Sequence, residues 1–171
     1  MPEFILDLGD SQGACTFANL SSFEQGYIEA AFFTSTGPDN EEEDLGEGSN
    51  FGELAPSAID RIKADCADFE TRAAALLALA YDSGDYDATQ AGGDFWFTRN
   101  GHGVGFWARE QLKRDQKDLW RELGSPRIGD PAWPEYERQR QPALGDRLSD
   151  LCRYSEVYLV RGDDGLIYLE G

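Results

Sequence analysis

Lysine is almost absent from this chain: Lys63, Lys113 and Lys117 are the only three among 171 residues. Histidine occurs once, as His102, and cysteine three times, as Cys15, Cys66 and Cys152. The cysteines are odd in number, far apart and without CxxC spacing. That excludes a disulfide framework and a zinc site and leaves buried, reduced thiols. No stretch approaches the roughly 20 apolar residues that span a bilayer, so no membrane segment is expected. The opening MPEFILDLGD lacks the basic start and long apolar centre of a signal peptide, and a cytoplasmic location is expected.

Basic residues are scarcest in the first 95 positions, which hold 20 acids against only Arg61, Lys63 and Arg72, a local net charge of −17. The remaining positions hold 13 acids and 12 bases, so almost all of the overall −18 lies in the first half. Such a field attracts cations and basic protein surfaces and repels nucleic acid and anionic membrane. Salt adaptation, which the low lysine content also fits, should make the whole surface acidic. Here the second half is balanced, so a localised binding surface explains the pattern better. Ten Phe, seven Tyr and four Trp are more aromatic surface than a solvated polyanion carries, so the acids decorate a folded body. At this length one core and a single domain, 1–171, are expected, with an acidic helical half over about 1–93 and a second half over about 94–171.

Along the chain, EFILDL reads as a short edge strand. Ser21 or Ser22 caps a mostly buried helix carrying Tyr27, Ile28, Ala31 and Phe32 at helical spacing. The run from Thr36 to Pro56, with five acids between Asp39 and Asp44, reads as an acidic loop. A long helix follows over about 56–81. Pro56 suits its first turn, and Ile59, Ile62, Cys66, Phe69, Ala73, Leu76 and Ala80 form its apolar stripe. Off that stripe Asp60, Asp65, Asp68 and Glu70 form a negative strip along the outer face. Gly84 ends the helix.

Asn100-Gly101 between the aromatic runs DFWFTR and GVGFW predicts a hairpin with strands near 95–99 and 104–108. An amphipathic helix should follow with Leu112, Leu119 or Trp120, and Leu123 inward, closed by Gly124. The proline-rich stretch to Pro142 reads as a loop or partner-facing excursion. A further helix over about 143–154 leads to a second hairpin at Asp164-Gly165. The expected fold class is α+β, an antiparallel sheet of about four strands in two hairpins, with helices packed on one face.

Motifs for chemistry are thin. His102 sits in a Gly-flanked turn without an adjacent nucleophile, and a local structural role is favoured over catalysis. The glycines of RNGHGVG lack the spacing and the Lys-Ser or Lys-Thr end of a phosphate-binding loop. RGDDG lacks the alternating acids of a calcium loop. No catalytic residue, metal or cofactor is expected. The enzymatic alternative is a small nucleotide-acting site built on His102 with Asp94, Arg99 and Asn100. A third reading is a phage accessory or assembly protein that uses the aromatic hairpin face as its interface.

The segment DFWFTRNGHGVGFW, followed by VYLVRGDDGLIYLE, resembles a family of small acidic proteins that recurs in phages, prophages and plasmids. The likeness covers roughly residues 22–33, 59–81, 92–109 and 143–170, while the segment from Arg114 to Pro142 looks longer than its family counterpart. FANLSSFEQGYIEAAFF is also similar to the opening of ArdA-type antirestriction proteins, acidic DNA mimics of mobile elements, through Asn19, Leu20, Phe23, Gly26 and Phe33. These resemblances imply a mobile-element setting inside a host cell.

Charge and setting together lead us to expect a non-enzymatic inhibitor of a host defence complex, anti-CRISPR or antirestriction, that acts as an acidic nucleic-acid mimic. Nucleic-acid-binding proteins draw much of their affinity from Lys and Arg contacts to phosphates, and spaced carboxylates compete for the same side chains. The expected partner is a basic nucleic-acid-binding host protein, a CRISPR effector or a restriction enzyme, with no direct nucleic acid or membrane contact and a homodimer left open. The residues expected to carry the contact are Asp39, Glu41, Glu42, Glu43, Asp44, Asp60, Asp65, Asp68 and Glu70, extended by Asp82, Asp85 and Asp87.

Overall fold

A computed structural model describes residues 15–35, 45, 48–139 and 142–171. The expected strand at EFILDL and the acidic run Asp39 to Asp44 lie outside the described residues. Among the described residues six α-helices precede one β-hairpin: α1 (Ser22–Ser35), α2 (Pro56–Asp82), α3 (Ala88–Arg99), α4 (Arg114–Glu122), α5 (Trp133–Gln139), α6 (Leu144–Leu151), β1 (Tyr158–Arg161) and β2 (Ile167–Glu170). The class is α+β, but the described sheet has two strands, not four.

Local chemistry accounts for the helix starts. Ser21 caps α1 reciprocally: the Glu24 N–H donates to the Ser21 hydroxyl at 3.1 Å, and the Ser21 N–H donates to the Glu24 carboxylate at 2.8 Å. Helix α1 buries Phe23, Tyr27, Ile28, Ala30, Ala31 and Phe32, and so is covered on most sides. Pro56 opens α2, whose inward residues are Ile59, Ile62, Cys66, Phe69, Ala73, Leu77 and Ala80. Leu77 takes the core position assigned above to Leu76, which is half-buried. Asp87 and Gln90 form a second reciprocal cap that starts α3.

The first expected hairpin is not a hairpin. Residues 95–99 finish α3, and 104–108 form an irregular loop and a single 3-10 turn, Phe106–Ala108. Asn100-Gly101 keeps its turn chemistry but spends it on a helix end. Gly101 has φ 66°, its N–H donates to Thr98 O at 3.3 Å, and the His102 N–H reaches Phe97 O at 3.0 Å. That pair of bonds is the glycine-terminated helix cap. Three adjacent aromatics mimic a buried strand, but Ala91, Phe95 and Arg99, with Gly92 and Trp96, are buried at spacings of four, the helical period.

Glycines let α1 and α3 approach until their backbones touch. A Cβ on Gly26 would sit 1.9 Å from Thr89 O, and one on Gly92 would sit 1.9 Å from Phe23 O. Phe69 of α2 stacks on Phe95 at 4.3 Å between ring centres and on Phe106 at 5.6 Å. The second hairpin forms as expected. Its register runs Tyr158 to Glu170 through Arg161 to Ile167, and the Asp164 carboxylate accepts from Leu166 N and the Tyr168 hydroxyl in the turn. The hairpin packs on α1 and α2, and Leu54 adds a parallel bridge to Ile167. One core therefore runs from Leu20 to Leu169, built from both sequence halves. The proline-rich stretch expected as a loop contains α5.

Candidate acidic interface

The carboxylates of the first half divide by the direction in which the fold turns them. Asp94, fully buried on the inner side of α3, is forked by Arg109, with Nε to Oδ1 and Oδ2 at 2.9 Å and Nη2 to Oδ1 at 2.6 Å. The Tyr86 hydroxyl donates to its Oδ2 at 2.8 Å. Burial, then the neighbouring Asp94 charge, pushes the Tyr86 phenol far up, so it stays a donor. An aspartate set in an aromatic run must find a cation, because an unpaired buried charge is too costly. That signal marks Asp94, but only the fold selects Arg109 over Arg99.

Arg99 instead reaches from the end of α3 to α2. Its Nη1 donates to Asp65 Oδ2 at 2.6 Å and to the Tyr27 hydroxyl at 3.0 Å, and its Nε donates to Ser155 O at 2.9 Å. Asp65 is therefore a cross-link rather than an outward carboxylate. Asp68 accepts a short hydrogen bond from the Tyr154 hydroxyl and lies 3.5 Å from Arg72. Glu53 takes Arg161 at 2.9 Å, a pair that joins the turn before α2 to β1. Neither Arg109 nor the Glu53 and Arg161 pair stands out in sequence, since their partners lie 15 and 108 positions away.

Asp87 spends its side chain on the α3 cap, and Asp85 accepts from the Ser83 hydroxyl at 2.6 Å, yet both remain exposed. Glu70 sits half-buried on the flank of α2. Burial, and then the charge of Glu24, raises its carboxyl above the ordinary glutamate value. Asp60 and Asp82 project to solvent without a partner among the described residues. Between them the outer face of α2 is largely alanine: Ala64, Ala67, Ala74, Ala75 and Ala78 are all exposed. The expected continuous strip is thus broken. Asp65 and Asp68 are drawn into cross-links and Glu70 stands to one side.

The alternative centre on His102 is equally dispersed. His102 packs edge-on against Phe97 at 5.8 Å, and burial lowers its pKa, which keeps the ring neutral. Asn100 accepts from the Val157 N–H at 2.8 Å and donates to Trp96 O at 3.1 Å, clasping the end of α3 to the segment that enters β1. Asp94 and Arg99 belong to separate ion pairs. Burial also raises the Cys66 thiol, and pushes Cys152 up to about 12, so both are poor nucleophiles at neutral pH. Among the described residues no group of three or more His, Cys, Asp or Glu is placed to hold a metal ion, and no helix is long and apolar enough to cross a membrane.

The polar residues of DFWFTRNGHGVGFW are thus occupied by the fold itself. Asp94, Arg99 and Asn100 hold the interior together, and Thr98 accepts from the Phe106 N–H at 3.2 Å. Val104 and Trp107 are the large apolar side chains of the motif that reach solvent. The chain matches no protein-family model, no curated protein and no solved structure.

Proposed function

We propose that this protein is an inhibitor carried by a mobile element, and that it occupies the basic nucleic-acid-binding surface of a host defence complex, a restriction enzyme or a CRISPR effector. One observation carries the reading: the arginines that reach the first half are spent on carboxylates and carbonyls of the fold, while Asp60, Asp82, Asp85 and Asp87 stay exposed. Arg99, Arg109 and Arg161 each neutralise a carboxylate of the first half. Of the three bases in that half, Arg61 is turned onto the carbonyls of Leu169 and Gly171, and Arg72 onto Asp68, Tyr154 and Leu151. Internal pairing is charge-neutral, so it leaves the net charge of −18 unchanged and the first half keeps its excess of acid.

The contact residues of this reading are Asp60, Asp82, Asp85 and Asp87, joined by Asp39, Glu41, Glu42, Glu43 and Asp44. Asp60 and Asp82 are 22 positions apart on one side of a continuous helix, hence about 33 Å along its axis. One turn of duplex DNA spans about 34 Å, so carboxylates at this separation address the same repeat of Lys and Arg that grips successive turns. A resemblance to acidic proteins of phages and plasmids supplies the setting. The reading involves no catalytic step and no cofactor.

The test is charge reversal away from the cross-links. The triple variant Asp60→Lys, Asp82→Lys and Asp85→Lys should bind purified restriction or CRISPR effector complexes at least ten-fold more weakly than the parent. The parent's affinity should fall steeply between 50 and 200 mM salt, and the variant's much less. Equal affinity for parent and variant, without salt dependence, would overturn the reading.

A further inference from the structure

Two of the three lysines and two of the four tryptophans converge on one cleft. It lies between α4 and α5, encloses about 270 Å³ and is lined by Lys113, Gln116, Lys117, Trp120, Trp133 and Tyr136. Lys113 and Lys117 are one helical turn apart, and both reach the same carboxylate, Glu110, at 2.9 and 2.8 Å. The two ammonium groups thus stand side by side at the rim, with Asp85, Asp118 and Arg121 on the outer side of Lys117. The aromatic walls are held in place: the Trp120 indole N–H donates to Pro126 O at 2.9 Å, and Trp133 packs on Tyr136 at 5.4 Å between ring centres.

We propose that this cleft binds a free nucleoside phosphate, with its base against Trp133 and Tyr136 and its phosphate on Lys113 and Lys117. Flat rings supply a stacking surface that accepts any nucleobase. Lysines suit phosphate as mobile point charges, whereas planar carboxylates are better matched by arginine forks. The volume lies just below the usual range of about 300–1,000 Å³ for small-ligand sites, which fits one nucleotide unit partly open to solvent. The acidic body opposes anions at long range, but screening over about 8 Å at physiological salt leaves the adjacent lysines dominant.

Adenosine 5′-monophosphate, titrated into the full chain while tryptophan fluorescence is read, should quench saturably. Inorganic phosphate and ribose 5-phosphate should bind at least ten-fold more weakly, since neither can stack. Trp133→Leu, and separately the pair Lys113→Gln with Lys117→Gln, should each weaken the nucleotide at least ten-fold while the far-UV circular dichroism melt stays two-state. Both changes lie at the periphery, and if one unfolds the chain the other still decides. Absence of saturable quenching up to 10 mM, or unchanged affinity in a folded variant of either kind, overturns the proposal. So does a thymidine hexanucleotide that binds ten-fold more tightly than the mononucleotide, because that would make the cleft part of a strand-binding groove. Lys117 also borders a shallow pocket with Asp85, so the charge-reversal test is kept independent of this one by reading it on Asp60→Lys and Asp82→Lys without the change at Asp85.

Discussion

Aspartate does opposite work on the two sides of this molecule. On the inner side of α3, Asp94 is fully buried, forked by Arg109 and bonded by Tyr86; on the outer side of α2, Asp60 and Asp82 meet only solvent among the described residues. The difference teaches that an acidic composition does not by itself say which carboxylates form the surface. Some of the carboxylates are internal cross-links whose charge a partner never meets. Asp65 stands between these extremes, 22% exposed at its side chain and paired with an Arg99 that is itself buried.

The comparison breaks most sharply at Asp94. Asp94→Ala strands the Arg109 guanidinium and the Tyr86 hydroxyl, and removal of one partner from a buried pair costs about 3–5 kcal/mol. In a chain of this size that corresponds to a fall in melting temperature of roughly 6–20 °C. Asp65→Asn should cost less, because Arg99 keeps the Tyr27 hydroxyl and Ser155 O as partners. Urea denaturation that ranked Asp65→Asn above Asp94→Ala would reverse the inward order argued here.

Glu70 sharpens the comparison through pH. Its folded-state pKa is raised above the ordinary glutamate value, chiefly by burial and then by the charge of Glu24. A raised acid contributes stability that is present below the unfolded value and is lost as pH rises through the folded one. At pH 7 the ionised Glu70 is therefore unfavourable, and Glu70→Gln should stabilise the fold there by less than about 1 kcal/mol, given its partial exposure. Melts should show that gain at pH 7 and lose it as pH falls below 4.5. A gain unchanged at pH 4 would show that charge is not its cause.

The smallest effect belongs to the outer side. Asp60→Asn and Asp82→Asn should each change stability by no more than about 0.5 kcal/mol, the ordinary range for surface substitutions. Chemical denaturation checks this directly, and a cost near that of Asp65→Asn would show that these carboxylates also hold the fold.

Much of the local architecture is legible in the chain, because its determinants lie within a few residues of one another. Ser21 with Glu24 starts α1, Pro56 starts α2, and Asp164-Gly165 makes a hairpin whose turn is closed by the Asp164 carboxylate. Asn100-Gly101 carries the same turn signal and forms no hairpin. Both dipeptides supply a positive φ, 66° at Gly101 and 82° at Gly165, and a positive φ serves a helix end as well as a strand reversal. Flanking contacts separate the outcomes. Ahead of Asn100 lie a capped helix start at Asp87 and the glycines that let α3 settle on α1. The acids of the first half are legible as residues, but which of them turn outward is not, since no spacing rule links Asp65 to Arg99 or Glu53 to Arg161.

Sequence alone determined the net charge and its crowding into the first half, the class of the fold, the helix at α2 and the closing hairpin. Each of these follows from composition or from short-range periodicity and capping. Tertiary structure alone decided which acids face outward, that α3 is a helix, and that two lysines share a cleft with Trp120, Trp133 and Tyr136. Those outcomes depend on groups brought together from distant positions, where burial makes pairing obligatory for some carboxylates and leaves others to solvent.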